Sequence, residues 1–365
     1  INNNGDAGVS IWRYNDYCEI LNNSFNDNGE EAVYVYRFNI DGTISGNSMT
    51  QSGLYFHGNF MSYTYLSTWT IETNNTVNGN PVYFYKDQVG LDNSQFTISG
   101  NPGQIILLNC SNSTITGFDI SGGTVGISIL DLCENVTISN NTLNYNRQHG
   151  LYVCRSEGNN ITGNNARHNF AMGIYAEYFS NHNNFTYNNL INNSQYGLYI
   201  YFQSNFNYIF KNNMSNPTSG GLQDIGFRIM NSCNNNSIIN NTMSFNLQHG
   251  FYGFAGCLYN DIENNSLYDN DFYGIYLDNW NFGNVVNNEI LETPVDGENY
   301  DYGIEIINCD NLTIANNFVN DTVNTGIHLQ VGCQNITIKD NIVTNNEIFG
   351  IYLQNGVNSC KIFNK

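Results

Sequence analysis

The stretch GLYVCRSEGNNITGNNARHNFAMGIY, residues 150–175, holds one full period of this chain and the opening of the next. Glycine followed by an aliphatic or aromatic residue returns at Gly126, Gly150, Gly173, Gly197, Gly226, Gly250, Gly274, Gly303, Gly326 and Gly350, mostly 23 or 24 residues apart. A period of this size marks a solenoid, whose repeats bury their apolar faces only by stacking on one another.

With each glycine as position zero, positions plus one and plus three are mostly apolar (Ile275 and Leu277, Ile351 and Leu353), and plus two is polar or tyrosine. That is strand alternation. A second short strand follows near plus twelve and ends in an asparagine pair: Asn140-Asn141, Asn164-Asn165, Asn212-Asn213, Asn264-Asn265 and Asn316-Asn317. Asparagine tolerates the left-handed backbone and suits corners between strands, and identical asparagines stacked rung over rung can bond along a ladder. Leucine-rich repeats share the period but need more leucine and a helical segment, which no window here supplies. The expected fold is all-β, a parallel β-helix.

The phase continues in weaker form through Gly8-Val9, Ala32-Val33, Gly53-Leu54, Asn80-Pro81 and Gly103-Gln104, at spacings of 24, 21, 27 and 23. This gives about 15 rungs of 23–24 residues in a single domain, residues 1–365, degenerate over 1–102 and regular over 103–365. At roughly 4.8 Å per strand the column would be about 70 Å long.

Eleven basic against 31 acidic residues give a net charge of −20, which excludes a nucleic-acid groove. The sequence has no run of 18 apolar residues. Asparagine occurs 71 times, and 16 positions satisfy the N-glycosylation triplet, among them Asn22, Asn74, Asn109, Asn112, Asn135, Asn140, Asn160, Asn184 and Asn335. Such triplets mark exported chains; random order at this composition would give about nine.

Cys110, Cys133, Cys233, Cys257 and Cys333 lie at plus seven and Cys309 at plus six. Neighbouring rungs therefore place Cys110 over Cys133, Cys233 over Cys257 and Cys309 over Cys333, within disulfide reach; a ladder of buried thiols is the alternative. The sequence contains neither Cys-x-x-Cys nor a clustered Cys/His spacing, so zinc is not expected.

Counting from Gly350 through Lys365 into Ile1 reaches Gly8 after 23 residues, one repeat. The ends thus read as complementary, either joining copies head to tail, with Cys18 and Cys360 stacked across the junction, or belonging to a longer β-helix.

Position plus two carries Tyr34, Tyr55, Tyr152, Tyr175, Tyr199, Tyr252, Tyr276 and Tyr352, an outward stripe suited to a glycan or a partner. Two rungs are five residues longer, around Asn216–Gly220 and Pro294–Glu298. Between and beside them lie Asp269, Asp271, Asp278, Asp301 and Glu305, carboxylates that could wall an acidic groove for glycoside hydrolysis, with Asp269, Asp271 and Asp301 as catalytic candidates. The oxygen-rich loop Asp296, Glu298 and Asp301 suits calcium, and no other cofactor is expected. Solvated acidic loops are the plainer reading, and Arg228 is the one nearby base. His149 and His249 share a position four rungs apart, too far for one site, and read as corner residues.

The Asn-Asn-x-Ile pattern with Gly-Ile-Tyr-Leu resembles the right-handed parallel β-helix repeat family over nearly the whole chain. The block from Asn75 to Tyr85, followed by Gln104 to Asn112, looks like one common in archaeal surface β-helix proteins, similar to the carbohydrate-binding and sugar-hydrolase β-helix group that includes a periplasmic copper-maturation protein. The resemblance implies a right-handed helix, export and a surface role; it transfers no catalytic or copper-binding residue. The expectation is an extracellular structural protein, a subunit of a cell-surface filament, sheath or surface layer. The competing class is a carbohydrate-binding adhesin or a polysaccharide-cleaving enzyme.

Overall fold

A computed structural model describes residues 1–57, 62–217, 220–291 and 302–364. Among them helix is confined to Tyr63–Leu66 and a 3₁₀ turn at Gln95–Thr97. The rest of the regular structure is short strands, paired in parallel with one exception, in a right-handed parallel β-helix. Among the described residues the glycine-phase strands number 15: three from Val9, Val33 and Leu54, five from Asn80, Gln104, Val125, His149 and Met172, and seven from Tyr196 onward. That matches the rung count of the period. The chain forms two compact units, Ile1–Asn183 and Asn184–Lys365.

The glycine is fixed by a close approach. A Cβ on Gly226 would lie 2.7 Å from the carbonyl oxygen of Gly250 and 2.8 Å from that of Met214. No side chain fits where successive rungs nearly touch. Beside each glycine, plus one and plus three fill the core: Leu151, Val153, Leu198, Ile200, Ile304 and Ile306 are fully buried.

In Asn140-Asn141, Asn264-Asn265 and Asn316-Asn317 each asparagine has its own task. The first turns the chain in the left-handed region, with φ of 54° at Asn140, 54° at Asn264 and 55° at Asn316. The second points inward and passes its amide to the next rung. In Asn164-Asn165 and Asn212-Asn213 the turn falls one residue earlier, at Gly163 (φ 66°) and Lys211 (φ 53°), and the first asparagine joins the inward ladder. In the C-terminal unit the ladder runs Asn188, Asn212, Asn241, Asn265, Asn288, Asn317, Asn341, each Nδ2 donating to the next Oδ1 at 2.9–3.1 Å. Buried amides need such partners, because an unmatched one costs about 1–3 kcal/mol.

The exception to parallel order is a hairpin. Val77 and Thr76 pair antiparallel with Asn80 and Pro81 across Asn78-Gly79, whose φ angles are 52° and 81°. Two positive φ values make the tight turn that joins antiparallel strands. Asn80-Pro81 therefore opens a new stack instead of extending the first one. The three earlier rungs fold back, laying the outward face of strand Leu54–His57 on the outward faces of the next strands. Gly53 N–H donates to Thr124 Oγ1 at 2.6 Å, Leu54 N–H to Gln104 Oε1 at 3.0 Å, and Arg147 pairs with Asp27 at 2.8 Å.

All nine cysteines are thiols. Cys110 does sit over Cys133, whose Sγ accepts its backbone N–H at 3.4 Å, but the cross-rung bridges are not formed. Instead Cys133, Cys233 and Cys257 each donate to the carbonyl three residues back, capping the corner with a thiol.

Candidate functional site

In the N-terminal unit the plus-two tyrosines are covered. Tyr152 is 1% exposed and Tyr175 7%: Tyr55 of the folded-back stack packs on Tyr152 at 5.5 Å between ring centroids, and Tyr175 lies against Tyr152 and His149 at 5.6 and 5.2 Å. An exposed stripe through Tyr152 and Tyr175 is thus corrected: both face away from their own core and into a second one.

Inside this contact lies Glu177, fully buried at plus four. Tyr152 and Tyr175 both donate to its carboxylate, Tyr175 to Oε2 at 2.6 Å. His57 Nε2 stands 3.6 Å from Oε1, and His57 Nδ1 lies 3.1 Å from the Tyr34 hydroxyl. Burial pushes Glu177 up to about 7, against the opposing hydroxyls and the charge of Arg37. Burial, then Arg37, pulls His57 down to about 4. His149, also behind the tyrosines, is held by Tyr55 at 3.0 Å and lowered to about 3 by burial.

The edge of this cluster opens outward. The His57 side chain keeps 30% of its surface, Trp12 is 57% exposed, and Trp12 lies 4.9 Å from the Tyr36 ring. Arg13 and Arg37 both lie over Tyr36, at 5.6 and 4.5 Å. Elsewhere on the same unit, Gln51, Gly122, Tyr145, Arg147 and Phe170 line a cleft of about 450 Å³.

The C-terminal unit carries the same outward row, buried at Tyr199, Glu305 and His328, half-buried at Arg228, Tyr252 and Tyr276 and exposed at Tyr352. Its register is Tyr199, Arg228, Tyr252, Tyr276, Glu305, His328, Tyr352. Tyr252 and Tyr276 are half-buried and stack at 5.0 Å and 6°. Arg228 sits among Tyr196, Tyr199 and Tyr252 at 5.1–5.4 Å and forms no ion pair among the described residues. His249, stacked on Tyr252 at 5.3 Å, is lowered to about 3 by burial and then Arg228. Both histidines read as corner residues, His149 and His249, turn out to lie among tyrosines.

Glu305 does not wall a groove. It is fully buried, accepts from His328 Nδ1 at 2.8 Å and is also held by Gln330. Asp269 turns the chain at φ 50° after strand Ser266–Tyr268, and Asp269 and Asp271 are both half-exposed. Asp296, Glu298 and Asp301 lie outside the described residues. Of the glycosylation candidates, Asn22, Asn74, Asn112, Asn135, Asn140, Asn184 and Asn335 are exposed, and Asn109 and Asn160 are half-buried.

Comparison with known proteins follows this geometry. The model of the family described as periplasmic copper-binding protein (NosD) matches residues 40–225, just over half of the chain. The chain belongs to the NosD family. A right-handed β-helix region is matched over residues 297–365. Comparison with curated protein sequences gives no match. Among solved structures, the NosD-family chain resembles an alginate lyase from Paenibacillus sp. str. FPU-7 (14% identity, TM-score 0.52, 75% of this chain and 99% of that one). It also resembles the Dettilon tailspike protein (16%, 0.56, 76% and 62%) and the catalytic domain of a GH87 α-1,3-glucanase (13%, 0.50, 85% and 61%). The chain thus spans about three fifths of the latter two. At these identities the likeness is one of fold.

The family description raises copper, which favours imidazole and sulfur donors. Among the described residues, the group of three ligand atoms from His, Cys, Asp or Glu within 4.8 Å is Asp6, Glu30 and Glu31, oxygen alone. Gln148 Nε2 donates to Glu30 and Glu31 at 3.0 Å each, and burial, then the Glu30 charge, pushes Glu31 up to about 8. This donor set does not fit copper. The cluster is no more than carboxylates bonded to an amide.

Proposed function

We infer that the chain is an exported carbohydrate-binding β-helix that holds a polysaccharide at the half-exposed stretch Arg228, Tyr252 and Tyr276 of its C-terminal unit. The observation that carries this reading is the stacked pair Tyr252 and Tyr276 with Arg228 beside it, all three half-buried on the outer face of their strands. Sugar rings stack on aromatic faces, and the guanidinium adds donors for hydroxyls. Successive rungs repeat at roughly 4.8 Å, a spacing close to the length of one sugar unit. The family's periplasmic description and the abundant glycosylation triplets support export, and the shared fold with carbohydrate-acting proteins supports the ligand class. Binding to a panel of soluble polysaccharides, read by affinity electrophoresis, tests it. Retardation by one polymer, weakened about tenfold or more in Tyr252→Ala and Tyr276→Ala, is expected; no retardation by any polymer removes the reading.

A further inference from the structure

We propose that the crevice where the folded-back stack meets the second stack is a binding site for a neutral sugar, held as one residue of a polysaccharide against the face of Tyr145. The site lies wholly in the N-terminal unit, so it shares no residue with Arg228, Tyr252 and Tyr276. It rests on the carbohydrate-binding reading above for its ligand class and adds a separate place of contact.

Gln51 and Asn78 come to this crevice from the first stack and its hairpin, and Gly122, Tyr145, Arg147 and Phe170 from the second. Together they line about 450 Å³, within the roughly 300–1,000 Å³ usual for small-molecule sites. Gly122 N–H donates to Asn144 O at 2.9 Å, and Tyr145 N–H donates to Arg167 O at 3.0 Å one rung later. Gly122, Tyr145 and His168 therefore share one corner in successive rungs. One face of Tyr145 lies on His168, with ring centroids 4.9 Å apart and planes within 5°. The other looks toward Gly122, which has no side chain to cover it. A Cβ on Gly122 would meet only Asn78 Nδ2, at 3.4 Å.

The corner itself marks this face as a platform. Tyr145 sits at φ 56°, in the left-handed region that a bulky side chain disfavours, whereas Asn135 and Asn140 hold other corners of the unit at 52° and 54°. Burial does not offset that strain, since Tyr145 is 58% exposed, as is Phe170 on the side wall at 55%. An exposed ring held flat in a cleft suits the C–H face of a sugar.

The charge of the lining selects a neutral ring. Arg147 is the one charged side chain among the described residues that line it, and its donors are committed. Nη2 pairs with Asp27 at 2.8 Å, Nη1 donates to Gly29 O at 3.4 Å and Nε to Gln51 O at 3.2 Å. A sugar carboxylate would meet a cation already paired. Gln51 Oε1 accepts from the same guanidinium at 3.2 Å, which fixes the amide and leaves Nε2, unbonded among the described residues, to donate to a hydroxyl.

The full chain carrying Tyr252→Ala and Tyr276→Ala, which removes the C-terminal contact, is run by affinity electrophoresis through gels containing laminarin, galactomannan or dextran, all neutral, or alginate, which is acidic. Retardation by at least one neutral polymer and none by alginate is expected. Adding Tyr145→Ala should weaken binding about tenfold or more. Adding Gly122→Asn, a residue that tolerates the left-handed corner and places a side chain under the ring, should do the same while melting with its parent. Binding unchanged by either addition overturns the proposal, as does retardation by alginate equal to that by the neutral polymers. If the chain without substitutions is retarded and the double variant is not, the proposal falls and the C-terminal reading stands. A double variant retarded as strongly as the unsubstituted chain has the opposite meaning.

Discussion

Tyr152 and Tyr276 occupy the same place in the repeat, two residues after the glycine, on the outer face of equivalent strands. Tyr152 is 1% exposed and Tyr276 lies at a half-open surface. Nothing in their local sequence separates them, since Gly-Leu-Tyr-Val and Gly-Ile-Tyr-Leu have equal strand character. The difference is made about 70 residues earlier, where Asn78-Gly79 turns the chain back on itself. One covered face becomes a second core with a buried acid and two histidines; the other leaves Tyr252 and Tyr276 half-exposed. A solenoid thus obtains an enclosed site by folding a short piece of itself over its own flank.

That contrast can be broken by truncating each tyrosine. Tyr152→Ala empties a filled space and leaves Glu177 short of one donor, so urea denaturation should show a loss of about 3–5 kcal/mol. Tyr276→Ala should cost about 1 kcal/mol or less, since half of its surroundings are solvent. Equal losses at the two positions would mean that the N-terminal cover does not close as described.

A middle-sized effect belongs to the scaffold that both units share. Asn265→Ala removes a donor to Ile238 O at 2.9 Å and to Asn288 Oδ1 at 3.0 Å, and strands the Asn241 amide that donates to it. A loss of about 2–4 kcal/mol is expected in denaturant melts, from unmatched buried amides. A neutral result would demote the ladder from support to ornament.

The smallest effect is the sharpest. Glu177 and Glu31 have folded pKa values raised from 4.5, to about 7 and about 8, so their contribution is full below about 4.5 and is lost as pH rises through those values. His57 and His149, lowered from 6.5 to about 4 and about 3, contribute fully above 6.5 and lose it as pH falls through their folded values. The cover should therefore be most stable on a plateau between about pH 4.5 and 6.5. Melting curves across pH should show a decline on the alkaline side that Glu177→Gln reduces and that no substitution at Tyr252 or Tyr276 alters.

Much of this architecture was legible in the residues. The glycine period, the plus-one and plus-three core and the paired asparagines all act within one rung or between adjacent rungs, so sequence spacing translates directly into contact. The fold-back was also written, as Asn78-Gly79, a strong hairpin signal; a phase count that ran on smoothly to Asn80-Pro81 hid it. The cluster around Glu177 was not legible. Tyr34 and Glu177 are separated by six rungs of sequence, and residues that meet only through the contact of two stacks leave no spacing to read. Likewise the acidic reading of Glu305 failed because His328, next to it in register on the outer row, pairs with it and both are buried there.

The asparagine ladder sets a rule for how such a chain can change length. Its bond from Asn212 to Asn241 crosses 29 residues and measures 3.1 Å; that from Asn241 to Asn265 crosses 24 and measures 3.1 Å. The amides register rungs, not residues. A five-residue insertion passes unnoticed if it stays outside the corner, whereas loss of a single corner asparagine is felt by both neighbours. Growth and loss in this lineage are accordingly expected in whole turns, each bringing its own link, much as a chain of identical couplings lengthens by the carriage and never by the wheel.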